Sequence, residues 1–269
     1  MGGAGDDYES AAYDNRDPSN PVFFATVDNS QGFLLRYTPP TNAVQDALAT
    51  GDYSNLLHTN GAGQNFEYFK VLSIDESTGT GTYTWTENRE EGQNSAATYH
   101  PYGEGIDIVN GMLHYTVKTT KMLWIIDLDN FTFVRSSTQS GAFDGQPDQV
   151  ARILDGGDAE SILYFCEDGS NDAGIHARNA EGNFYTIVKD PGTYNSETTG
   201  LALSPDHMKM YVSYQVPGII FEFTRTDGYP FSGQVLDIKY HEDDTNSNPF
   251  TRHLQAENEK TCDIVYEAC

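Results

Sequence analysis

An all-β fold is what this sequence predicts, and three observations carry the prediction. Short apolar or alternating runs bounded by Gly, Asn, Asp and Pro are frequent, runs with three- and four-residue apolar spacing are scarce, and one unit of acidic residue, strand, turn and strand recurs along the chain. At 269 residues, with 38% hydrophobic and 12% aromatic content, the chain can bury the core of one large β domain or two small ones. Two short helices are expected, around Ala43–Ala49 and Glu90–Tyr99.

The recurring unit is clearest in ETTGLALSPDHMKMYVSYQ, residues 197–215, which reads as a carboxylate followed by a β-hairpin turning at Ser204-Pro205-Asp206. The same unit starts at Glu104 and at Asp148, so successive starts lie 44 and 49 residues apart, the spacing of β-propeller blades. A further copy starts at Glu9. Between it and Glu104, the stretch from Pro40 to His100 carries the apolar runs Phe66–Ile74 and Thr82–Trp85 and reads as an extra blade or as an elaborated loop over one face. The expectation is a β-propeller of about four to six blades over residues 8–241, incomplete at the N-terminus, followed by a C-terminal tail over 242–269. Its open sheet edges would invite a partner chain, or a further segment of the same chain, to complete the ring.

Fifteen basic residues against forty acidic ones give a formal charge of −25 and a pI near 4.3, which argues against nucleic acid and anionic membrane as partners. Most of the acids are expected on a solvated surface. No run of eighteen apolar residues is present, so no membrane span is expected, and the first twenty residues lack the basic start and apolar stretch of a signal peptide, which leaves an intracellular protein or a mature or truncated piece of a longer one as the expectations. Of three cysteines, Cys166 lies in the apolar run Ile162-Leu163-Tyr164-Phe165 and reads as a buried thiol. Cys262 and Cys269 are close enough in sequence to bridge, which would imply an oxidising compartment, and an extracellular or secretory-pathway location is the corresponding expectation. A glycosylation sequon, Asn130-Phe131-Thr132, falls in an expected turn.

In a propeller the innermost strand of each blade lines the channel, so an acid at that strand's entrance points toward the axis. Glu9, Glu104, Asp148 and Glu197 are therefore expected to converge, and their hard oxygens suit calcium, magnesium or oxidised iron. The alternative is that they cap turns and accept backbone hydrogen bonds. Asp28, after the strand Phe23-Phe24-Ala25-Thr26, and Glu167-Asp168, after Cys166, occupy matching strand ends and divide between the same two roles. Lys118, after the strand Leu113–Val117, and Arg178, closing Gly174-Ile175-His176-Ala177, could reach the channel mouth, against the commoner fate of a solvated charge. No histidine triplet, Ser-His-Asp order, Gly-rich phosphate loop or Cys-x-x-Cys pair is present.

The strings ESAAYD…PVFFAT.D…G.LLRYTP, EGID…LHYTVK…LWIIDLD, GQPDQV, LYFCEDG…GIHAR…G.FYTI and ETTGLALSPD..KMYVSYQ…GIIFEF.R.DG.PF resemble the PhoX-type alkaline phosphatase family. The likeness is greatest to its long algal and marine members and covers roughly residues 8–241. It implies a propeller whose channel holds a calcium and iron cluster, bound by acidic side chains and a cysteine, that hydrolyses small phosphate monoesters. Carried over, it makes Glu104 and Glu197 the catalytic carboxylates, Glu9, Asp28, Glu104, Asp148, Glu167 and Glu197 the metal ligands, and Lys118 and Arg178 the substrate contacts. Two departures stand out. Thr26-Val27-Asp28 replaces the family's usual Thr-Glu-Asp, and the family's iron-ligating cysteine, upstream of the counterpart of Glu9, has no equivalent. These departures point to the rival expectation, a non-catalytic, calcium-stabilised propeller that serves as a binding or scaffold module. A calcium-dependent lactonase is a third.

Overall fold

A computed structural model describes residues 6–14, 16–57, 65–153, 162–169, 172–231 and 267–268. The chain is all-β and divides into two compact units, Met1–Ser137 and Thr138–Cys269. Cys262 and Cys269, and most of the expected C-terminal tail, lie outside the described residues.

Unit 1 comprises β1 (Tyr8–Asp14), β2 (Val22–Val27), β3 (Leu35–Tyr37), α1 (Thr41–Thr50), β4 (Phe66–Asp75), β5 (Thr80–Thr86), α2 (Arg89–Tyr99), β6 (Gly103–Val109), β7 (Met112–Val117), β8 (Met122–Asp127) and β9 (Thr132–Ser137). Its strands form one antiparallel nine-stranded sheet in the order β1-β2-β3-β4-β5-β9-β8-β7-β6. The sheet curls until β1 and β6, its outermost members, lie side by side, and Thr26 Oγ1 donates across that approach to the Glu104 carbonyl at 2.6 Å. The curl wraps an aromatic core of Phe24, Phe69, Trp85, Tyr115, Trp124 and Phe133, all within 8% exposure. The stretch from Pro40 to His100 supplies both helices together with β4 and β5, which insert between β3 and β9.

Both helices fall where the sequence places them. Gly51, left-handed at φ 73°, ends α1 by donating its N–H to the Ala47 carbonyl. Asn88 caps α2, its side chain accepting from the Glu90 and Glu91 N–H groups, and those two acids favour the helix N-terminus. Packed on β4, α2 offers Ser95 Oγ to the Val71 N–H at 3.0 Å, where the β4–β5 pairing slips register.

Unit 2 contains two antiparallel four-stranded sheets. One runs β10 (Gln146–Ile153), β11 (Ile162–Asp168), β12 (Gly174–Arg178) and β13 (Phe184–Lys189) in sequence order, and the other runs β14 (Thr198–Leu203), β15 (Lys209–Tyr214), β16 (Ile219–Thr224) and β17 (Glu267–Ala268). The hairpin expected around Ser204-Pro205-Asp206 is the β14–β15 pair. Its β15 alternates half-buried and buried residues along its length, and Met210, Val212 and Tyr214 join Tyr164, Cys166 and Ile175 in a shared core.

One local irregularity recurs and positions the acids. In four hairpins the leading strand takes three steps where its partner takes two, which inserts one extra residue. The register passes from Tyr8↔Val27 to Ala11↔Ala25, from Gly103↔Val117 to Ile106↔Tyr115, from Pro147↔Glu167 to Val150↔Phe165, and from Thr199↔Ser213 to Ala202↔Tyr211. The first bulge residues are therefore Glu9, Glu104, Asp148 and Gly200. Opposite them stand Thr26, Thr116, Cys166 and Val212, each at most 1% exposed.

Candidate functional site

A bulge leaves backbone groups of the leading strand without ladder partners and turns a side chain out of the alternating pattern. In unit 1 the threonines opposite satisfy those groups. Thr26 Oγ1 accepts from the Ser10 N–H at 3.1 Å, and Thr116 Oγ1 donates to the Gly105 carbonyl at 3.1 Å. Freed from the ladder, Glu9 and Glu104 approach from strands about 95 residues apart, with a carboxylate oxygen of each within 4.8 Å of the other. Glu104 is 2% exposed, whereas Glu9 keeps solvent contact. The backbone before Glu104 runs hard against Tyr115: a Cβ at Gly103 would lie 2.3 Å from its Oη, so only glycine fits there.

The ends of β2 and β7 complete the group. Asp28 and Lys118 occupy equivalent places, each following the residue paired with the start of its bulge. Lys118 Nζ lies 3.2 Å from Glu104 Oε1 and 3.9 Å from Asp28 Oδ2. Asp28 Oδ1 is enclosed with no hydrogen-bond partner among the described residues. Burial raises the Glu9 pKa above its ordinary value, Asp28 raises it further, and Lys118 pulls it back. The Tyr115 hydroxyl is kept neutral by burial, with Glu104 and Asp28 adding to the effect. Behind it His100 is fully enclosed by aromatic rings, and burial pushes its pKa down to about 3, so it stays neutral. Three carboxylates and one ammonium leave a net charge of about −2 when all are ionised.

Unit 2 treats the same positions differently. Asp148 is 6% exposed in the β10 bulge, and Asp148 and Glu197 both help burial push the Cys166 thiol up, so that thiol stays protonated. Glu197 is half-buried and precedes β14; the register gives its expected place to Gly200, whose φ is +61°. Sequence alignment on the acid misses this because the bulge position depends on strand pairing.

Glu167 is 1% exposed and sits where unit 1 has Val27 and Val117. Its Oε1 accepts from the Asp144 and Gly145 N–H groups at 3.1 and 2.6 Å, and its Oε2 accepts from the Gly174 N–H and meets His176 Nε2, each at 2.9 Å. Those contacts clamp turns of the unit together. His176 is itself fixed by Thr186 Oγ1 at 3.1 Å and by the Phe143 ring stacked at 4.2 Å. Arg178 pairs with Leu163, at the opposite end of the β10–β13 sheet from Asp148, so the structure does not bring those two together. In unit 1, by contrast, Lys118 joins Glu104. The strand-register signal that unites Lys118 with Asp28 was readable only as two separate strand ends.

A shallow concavity of about 820 Å³ in unit 2 is lined by Asp144, Gly169, Asp172, Lys189, Asp190, Pro191 and Gly192. Lys189 pairs with Asp172 at 2.6 Å, and the Asp190 carboxylate accepts from the N–H groups of Thr193, Tyr194 and Asn195, so its charged groups hold the rim together.

No known family's sequence pattern matches this chain, and no curated protein does. Among solved structures, the chain is similar to one in the complex of KlAtg21 with the coiled-coil of AgAtg16, at 13% identity and a TM-score of 0.38. That similarity covers 81% of this chain and 65% of the other. No helix among the described residues is long and apolar enough to cross a membrane.

Proposed function

We propose that this chain is a β-propeller whose first unit holds a divalent cation between Glu9 and Glu104, and that it hydrolyses small phosphate monoesters. In this reading the meanders β1–β4, β6–β9, β10–β13 and β14–β17 are blades, and β5 is an added strand. The observation that carries the reading is the convergence of two bulge-borne carboxylates within 4.8 Å, one of them almost wholly buried. Two full charges at that separation repel by about 3 kcal/mol at an effective dielectric near 20, and by less where water reaches Glu9.

The donor set fits calcium. Carboxylate oxygens are its ordinary ligands, and Asp28 Oδ1 is an enclosed acceptor without a donor among the described residues. Glu9, Glu104 and Asp28 offer oxygen donors alone, without the thiolate that a PhoX-type iron cluster would use. A bound calcium would supply Lewis-acid polarisation of a phosphoryl oxygen. Glu9, Glu104 and Asp28 would fix the position of the charge, and Lys118 would place its ammonium against a second phosphate oxygen. The resemblance to PhoX-type phosphatases supports the same substrate class, and an extracellular or secretory-pathway setting rests on the expected bridge between Cys262 and Cys269, which lie outside the described residues.

One observation favours the second reading, a calcium-stabilised scaffold without turnover: Lys118 already lies 3.2 Å from Glu104, which leaves less of that carboxylate for chemistry. The two readings separate in one experiment. Thermal melts of chelator-treated protein should rise on adding calcium, by the equivalent of about 2.7 kcal/mol at a hundredfold excess over Kd. Glu9→Gln with Glu104→Gln should remove that rise. Chelator-sensitive turnover of a generic phosphate monoester supports the phosphatase, calcium stabilisation without turnover supports the scaffold, and melts indifferent to calcium defeat both.

A further inference from the structure

The turn between β8 and β9 carries a motif that the acidic group does not use. Asn-x-Ser/Thr, with x other than proline, occurs once in the sequence, at Asn130-Phe131-Thr132. All three residues are exposed at the hairpin tip. The Asp129 and Asn130 N–H groups both donate to Asp127 Oδ1 at 3.0 Å, and Asn130 Nδ2 donates to Asp127 Oδ2 at 2.7 Å. Asp127 pairs with Thr132, and Thr132 with Thr82, so the carboxamide is anchored to a row whose two threonines face solvent. A primary carboxamide has two N–H bonds, and the turn uses one of them.

Phe131 supplies a second observation. Its φ is +56°, a left-handed backbone that a bulky side chain rarely adopts, yet its ring stays 45% exposed, with Tyr83 alongside at 5.7 Å. Glycine or asparagine would hold this turn with less strain. Burial does not account for a phenyl ring there. An exposed ring beside Asn130 does offer a flat apolar surface to the C–H face of a sugar.

We infer that Asn130 is the acceptor of an N-linked oligosaccharide whose first sugar lies beside Phe131. In the transfer, Nδ2 displaces diphosphate from the anomeric carbon of a lipid-linked sugar. The N–C bond forms, the C–O bond breaks with its electron pair going to the diphosphate, and one Nδ2 proton is lost to a base. Transfer precedes closure of the hairpin, and the finished turn accommodates the product because one N–H remains for Asp127. The inference rests on the secretory-pathway setting proposed above.

The test supplies that route: the full chain is expressed behind a secretory leader in eukaryotic cells, with the same chain from bacterial cytosol as the unmodified reference. Intact mass and peptide mapping should place a glycan on the Asn130 peptide, removable by an amidase specific for N-linked glycans. Thr132→Ser should keep it, and Thr132→Val and Asn130→Gln should abolish it. The glycosylated chain should melt no lower than the bacterial one, and Phe131→Ala should lower the glycosylated melt by more than the bacterial melt. A bare Asn130 in the secreted chain, a glycan that survives Thr132→Val, a glycosylated form that melts below the reference, or equal losses from Phe131→Ala would overturn the inference. Because the leader provides the route, a bare Asn130 counts against the acceptor alone, and fractionation of cells making the natural protein tests the secretory setting separately.

Discussion

In unit 1 the bulges carry Glu9 and Glu104 opposite Thr26 and Thr116, whereas in unit 2 they carry Asp148 and Gly200 opposite Cys166 and Val212. The hairpin geometry is the same; the polar compensation is not. Unit 1 uses hydroxyls directly across the bulge. Unit 2 places a weakly polar thiol and an isopropyl group there and moves its buried polar anchor one residue along β11, to Glu167. Thr198 Oγ1 then links that strand onward, accepting from the Glu167 N–H at 2.9 Å and donating to the Gly174 carbonyl at 2.8 Å. A shared backbone device thus tolerates different chemistry at its centre, provided every buried donor and acceptor finds a partner nearby.

The largest expected effect breaks the unit 2 anchor. Glu167→Ala strands three backbone donors and His176 in the interior and should cost about 3–5 kcal/mol in chemical denaturation. Glu167→Gln, which keeps an acceptor, should cost less. A loss below 1 kcal/mol for the alanine variant would show that unit 2 does not depend on this carboxylate. Next, Thr26→Val should destabilise by about 1–3 kcal/mol, because Thr26 serves both Ser10 and Glu104. A Thr26→Val loss well below about 1 kcal/mol would remove the link across β1 and β6 from the account.

Glu9 gives a pH-dependent contrast. Its folded pKa is raised, so the folded state binds a proton more tightly than the unfolded one. The resulting stabilisation is complete below the ordinary value of 4.5 and is lost as pH rises through the folded pKa. Glu9→Gln in chelator should therefore raise the melting temperature at neutral pH, and the gain should fade as pH falls toward 4.5. A gain independent of pH would mean that the charge is irrelevant. The smallest effect concerns the fourth bulge: Gly200→Ala should cost about 1 kcal/mol for its left-handed backbone, and Gly200→Asn less, by the same denaturation measurement.

Much of this architecture is legible in the sequence. The β class follows from alternating runs such as Lys209–Tyr214, the helices from polar and alanine-rich stretches ending near Gly51 and His100, and the buried thiol from its apolar neighbours. Meeting of Glu9 with Glu104 follows from their equivalent places ahead of matching strands. Glu197 shows where the signal fails: its carboxylate imitates the others, but a bulge is defined by which residues pair, and Gly200 holds that place. Lys118 was readable as a strand-end cation, yet its contact with Glu104 depends on the same pairing. Glu167 resembles a ligand in sequence because acid after strand is a weak cue, and only the turns that fold back onto it reveal where its oxygens go.

The seam between β5 and β9 has a consequence for how the chain is made. Thr80–Thr82 pair with Thr132–Val134, about fifty residues later, so during synthesis that side of β5 has no partner until β9 emerges. At cellular elongation rates of about 5–20 residues/s the interval is on the order of 3–10 s. An exposed strand edge beside Tyr83 and Trp85 would then be open to pairing with other nascent chains. Thr80 and Thr82, both still solvent-exposed in the finished fold, put hydroxyls rather than apolar side chains on the waiting segment. Threonine preserves the extended backbone that β9 will need while making the edge a poor surface for aggregation during those seconds.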